Sequence, residues 1–121
     1  MDQRLKEALE FSQFRTTLQV LRTNLKNKAE NQMTVSYNGG LFKADQNLIG
    51  FILGLRSRDI KQYVVLDQNE IPIQINDIDE FVDVLIGANK QAMNQWYADY
   101  SKLKTSRNVS KLTGVNLEQS E

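Results

Sequence analysis

The chain has 121 residues and carries 15 basic and 15 acidic side chains, so its formal net charge is zero. That length suits one compact domain with a modest core, and the charge balance gives no global field toward nucleic acid or an anionic membrane. With no cysteine and no histidine, disulfides, thiolate catalysis and sulfur metal sites are excluded, together with the commonest general base and metal ligand.

The first predicted element is a long helix over about residues 2–32, a stretch without proline or glycine. Phe11, Phe14, Leu18, Leu21 and Leu25 recur at steps of three and four, with Leu5, Ala8 and Leu9 one turn earlier. The spacing fits a helix face packed on its own core, and it also fits a narrow coiled-coil seam. A helix of ~30 residues is ~45 Å long, more than a small domain readily covers. The seam is therefore the candidate surface for oligomerisation or docking. The opening MDQRLKEALEF is charged rather than apolar, so no signal peptide is expected.

MTVSY alternates with period two, and Asn38-Gly39-Gly40 follows as a hairpin turn signal, with LFKA as a short returning strand. Asp45 reads as the N-cap of a short helix through NLIGFILGL. That helix is expected to be the most buried element. Gly50 and Gly54 inside it suggest a close neighbouring backbone. Arg56, Arg58 and Lys61 after it could bind an anion, or could simply complement the helix dipole.

YVVL and IPIQI read as two strands joined by DQNE. Asp67 and Asn69 suit that turn, Asn69 because asparagine tolerates positive φ. Pro72 places its strand at an edge or near a strand start. Asn76 or Asp77 then caps a second long helix, with Glu80 three residues beyond Asp77 in capping-box spacing. Its apolar residues, from Ile78 through Trp96 and Tyr100 to Leu103, keep steps of three and four to about residue 106. Gly87 suggests another close contact. The expectation is one α+β domain over residues 1–106: two long helices and one short helix on a small antiparallel sheet of about three strands. Residues 107–121 are expected to form a polar tail, in which Arg107 and Leu112 mark a second docking segment.

Little in the chain points to chemistry. Asp77, Asp79, Glu80 and Asp83 lie within about two helical turns but lack the spacing of a calcium loop, so no metal is expected there. No nucleotide-binding loop is present, and no cofactor or catalytic residue is expected. Trp96 and Tyr97 near Lys102, Lys104 and Arg107 are the only candidate for single-stranded nucleic acid. Core packing of Trp96 and Tyr100 explains the same residues more simply, so nucleic acid is not the expected partner. The longest apolar run, residues 48–55, is too short for a membrane span.

Phe42, Ala44 and Asp45 form an F-x-A-D phrase before the short helix. Asp67, Asn69, Ile71 and Ile73 form a D-x-N-x-hydrophobic-P-hydrophobic turn, and Tyr97, Leu103 and Lys104 close the last helix. Over roughly residues 26–106 this order resembles a small domain of unknown function found in tailed-bacteriophage proteins. The family carries a tryptophan before the D-x-N turn, where this chain has Val64 and Val65. The resemblance implies a non-enzymatic virion component or assembly helper of the tail or tail fibre. Such a protein is made in the host cytoplasm, is not secreted, and binds other tail or fibre proteins or further copies of itself. It brings no catalytic residues to carry over. A cytoplasmic regulator or inhibitor that binds another protein is the second reading, and a weak single-strand binder the third.

Overall fold

A computed structural model describes the backbone of residues 2–113 and the side chains of residues 2–105. In chain order the elements are α1 (Gln3–Gln32), β1 (Thr34–Tyr37), β2 (Gly40–Lys43), α2 (Gln46–Ser57), β3 (Tyr63–Leu66), β4 (Pro72–Ile75) and α3 (Ile78–Thr113). The fold is α+β, with two long helices and one shorter helix. The strands form two antiparallel two-stranded sheets, β1–β2 and β3–β4, rather than one sheet of about three.

The first hairpin turns on Asn38 and Gly39, whose φ angles are +48° and +82°. Tyr37 pairs with Gly40 across this two-residue loop. Two successive positive φ values match the right-handed twist of the strands, which is why Asn-Gly is selected here. In the second hairpin Leu66 pairs with Pro72, and the loop turns on Glu70 at φ +60° rather than on Asn69.

The hairpins meet without forming a common ladder. Gln68 N–H donates to Leu41 O at 2.8 Å, and Leu41 N–H donates to Asp67 Oδ2 at 3.1 Å. The turn of the second hairpin thus takes up the edge groups of Leu41 that a further strand would have used.

Asp45 caps α2, its Oδ1 accepting from Leu48 N–H at 2.9 Å. The helix ends in a Schellman arrangement: Asp59 N–H donates to Arg56 O and Ile60 N–H to Leu55 O. Asp59 holds the left-handed position at φ +58°, where glycine is commoner. Asp77 caps α3 by accepting from Glu80 N–H at 3.0 Å. α3 continues past residue 106 to Thr113, because no helix breaker occurs before Gly114. Arg107 and Leu112 therefore lie within α3, with side chains outside the described residues.

The chain divides into two compact units, residues 28–95 and residues 1–27 with 96–121. The boundaries between these units fall inside α1 and α3. In the first unit the core gathers Phe42, Ile52, Val65, Ile75, Phe81 and Leu85 among others. The Phe81 ring stands 4.9 Å from those of both Phe42 and Tyr37. The start of α3 is the most buried stretch: Ile78, Phe81, Val82 and Leu85 are at most 1 % exposed. α2, expected to hold that place, buries only Ile52 and Leu55. Each such side chain contributes about 1.5–3 kcal/mol on leaving water, so α3 anchors this unit. In the second unit Leu18 is buried on α1.

Candidate interaction surfaces

The acidic side chains around the second hairpin diverge. Asp67 is buried and accepts from three backbone amides: Oδ1 from Asn69 at 2.8 Å and Ile71 at 3.0 Å, Oδ2 from Leu41. The Ile71 amide above all holds its carboxyl below the usual aspartate range against the opposing effect of burial, and the Leu41 and Asn69 amides add to this. Asp79 lies 3.8 Å from Arg56 and 3.9 Å from Lys61. Glu80 turns away from the cap of its own helix and accepts from the Tyr37 hydroxyl at 2.9 Å, so the capping box is not closed by its side chain. Burial, then the hydrogen bond and charge of Glu80, then Asp77, push that hydroxyl up to about 12. Among the described residues no group of three such ligands converges on a point a metal could occupy. Each carboxylate described above has a local structural partner.

The seam is graded along α1. Phe11 is 60 % exposed and Leu18 is 7 % exposed; Phe14, Leu21 and Leu25 are half-buried. Leu5 and Leu9 are about half exposed. The five seam residues thus share one helical face but not one environment. Its N-terminal end is bare, apart from Arg15, whose guanidinium sits 5.9 Å over the Phe11 ring.

A groove of about 400 Å³ lies in the same unit, lined by Arg22, Leu25, Lys26, Trp96 and Tyr100. Trp96 is half-buried and Tyr100 is exposed, so the expected core role of this pair is only partly met. Tyr97 is 75 % exposed.

The glycines of α2 and α3 do not serve close packing. A Cβ at Gly50, Gly54 or Gly87 would meet nothing within 4 Å. Gly50 instead lines an apolar groove between α2 and α3, with Leu53, Ile86 and Met93 on its walls.

Several contacts that shape these surfaces carry no local sequence signal. Asn38 Nδ2 donates to Gln74 O at 3.0 Å, joining the two hairpins a second time. Asn89 Nδ2 donates to Ala44 O at 2.9 Å, fixing the chain just before α2. Asn89 lies on α3 between the buried Leu85 and Ala92, and its acceptor is a backbone atom 45 residues away.

Among the described residues no helix is long and apolar enough to cross a membrane. No protein-family model, curated protein or solved structure matches the chain.

Proposed function

We propose that this chain is a non-enzymatic protein of tailed-bacteriophage tails or tail fibres, a virion component or assembly helper that acts by protein–protein contact. One observation carries the contact reading: Leu5, Leu9 and Phe11, in the first turns of α1, are 46–60 % exposed. Large apolar side chains left bare at one end of a helix favour a partner that buries them. The phage assignment rests on the F-x-A-D phrase at Phe42–Asp45 and the turn from Asp67 to Ile73, which act here as cap and hairpin turn. Another tail or fibre protein, or a second copy, covers the α1 face in this reading.

Mass spectrometry of purified particles and tail-assembly intermediates tests the proposal. The chain is expected in one or both. Absence from both removes the tail reading and leaves a regulator that binds another protein. The exposed Tyr97, next in sequence to Trp96 of the groove lined by Arg22, Lys26, Trp96 and Tyr100, favours a second reading, weak binding of single-stranded nucleic acid by stacking. Affinity for a short oligonucleotide that falls steeply with salt would support that reading; no binding at low salt would end it.

A further inference from the structure

The β3–β4 ribbon has one guarded edge and one bare edge. Asp67 N–H donates to Ile71 O at 2.9 Å, so these two residues form a hydrogen-bonded rung. Rungs alternate in an antiparallel ladder. Val65–Ile73 and Tyr63–Ile75 are therefore bonded rungs, and the backbone groups of Val64, Leu66 and Gln74 point out of the ribbon. On the β4 side this is managed. Gln74 O accepts from Asn38, Pro72 has no N–H to leave unpaired, and the first hairpin comes so close that a Cβ on Gly40 would lie 2.7 Å from Ile73 Cγ1. On the β3 side, among the described residues, no hydrogen bond from Val64 or Leu66 leaves the ladder. Their side chains are 51 % and 61 % exposed. Tyr-Val-Val-Leu has no charge or proline of the kind that guards edge strands.

We infer that β3 is a self-pairing edge, to which a second copy of this chain adds its own β3 antiparallel across a two-fold axis at Val65. In that register Val64 of one copy faces Leu66 of the partner subunit, and the outward N–H and C=O groups at these positions are the ones a bonded rung exchanges. A slip by one residue sets outward groups against inward ones and reverses the faces. The same rungs lay the exposed Val64 and Leu66 side chains together on one face of the joined sheet. Charge at the ends selects a second copy over a foreign strand: antiparallel pairing brings the basic flank, Arg58 and Lys61, toward Glu70 of the partner subunit. The β4 edge is already covered, so pairing closes at a dimer instead of growing into a fibre. The surface uses no residue of the α1 face.

So short a strand pair buries less than the ~800 Å² per partner of standard interfaces, so the dimer forms only as concentration rises. Sedimentation velocity of the full chain across a concentration series is the test, paired with amide hydrogen exchange at Val64 and Leu66. The expected result is a concentration-dependent dimer with protection of those two amides rising alongside it. The double variant V64K/L66K is expected to lose the dimer and keep the fold, since both side chains are exposed. The variant L5E/L9E, which alters the exposed N-terminal turns of α1, is expected to keep it. A chain that stays monomeric throughout, amides that exchange equally fast at every concentration, or a V64K/L66K variant that still dimerises would overturn the inference. Dimerisation lost in L5E/L9E and retained in V64K/L66K would also overturn it, while supporting the α1 surface.

Discussion

The Leu41 amide donates to Asp67 Oδ2 at 3.1 Å, tying the edge of the first hairpin to the turn of the second. Asp67 also holds its own turn through Asn69 and Ile71, so one buried carboxylate organises two pieces of backbone. Replacement by asparagine removes an acceptor where the amides require one, because Asn Nδ2 cannot accept. Asp67→Asn should lower Tm, and Asp67→Ala should lower it further. The folded carboxyl titrates below the unfolded aspartate value of ~3.9. Its contribution is therefore complete above that pH and is lost as pH falls through the folded value. The Tm difference between wild type and Asp67→Asn should hold at neutral pH and shrink below about pH 4; a gap constant into strong acid would show that the charge is not what stabilises the turn.

Tyr37 behaves oppositely. Its hydroxyl is the donor to Glu80, and its folded value of about 12 lies above the ordinary 10.0. A raised value stabilises fully below pH 10 and is lost as pH climbs from 10 toward 12. In a spectroscopic alkaline titration, one of the four tyrosines should ionise late, and Tyr37→Phe should abolish that late phase. The same variant should cost about 1 kcal/mol near neutral pH, measured by denaturant unfolding.

Besides Asn38, two non-glycine residues occupy left-handed backbone, Asp59 at the end of α2 and Glu70 in the second turn. That conformation costs an L-residue roughly 1–2 kcal/mol, part of which glycine gives back as chain entropy. Asp59→Gly and Glu70→Gly should each stabilise by about 0.5–1 kcal/mol, seen as a higher urea midpoint at unchanged slope.

Glycines separate by what surrounds them. Gly50→Ala, Gly54→Ala and Gly87→Ala fill open space inside helices, so each should stabilise by about 1 kcal/mol. Gly40→Ala drives a Cβ to 2.7 Å from Ile73 Cγ1 and should destabilise by about 1–3 kcal/mol. Thermal melts of the four variants would check the contrast. Destabilisation by alanine at Gly50 would mean that its surroundings are not open.

Local chemistry made part of this fold readable in advance. The Asn38-Gly39 turn, the Asp45 and Asp77 caps and the start of each long helix follow from backbone preferences of a few adjacent residues. The positive φ at Glu70 did not, because the Asp67 carboxylate takes the amides of Asn69 and Ile71 and forces the left-handed residue one place later than asparagine's preference suggested. Tyr37 and Glu80 are 43 residues apart, and no local rule joins them. The division of the strands into two sheets was hidden for the same reason: a side chain and a turn amide, rather than a strand, satisfy Leu41. The α1 face shows most clearly what periodicity omits. Phe11 and Leu18 obey the same spacing, yet one is exposed and the other buried. Spacing defines a face and leaves open what covers it.

Cross-linking mass spectrometry on purified tails and tail-assembly intermediates addresses the proposed role most directly. Lys6 lies between Leu5 and Leu9 on the bare end of α1 and offers an exposed amine for the reagent. Cross-links from Lys6 to a tail or fibre protein are expected, reduced in L5E/L9E. Particles and intermediates that lack the chain, or that hold it with no such cross-link, would contradict that role.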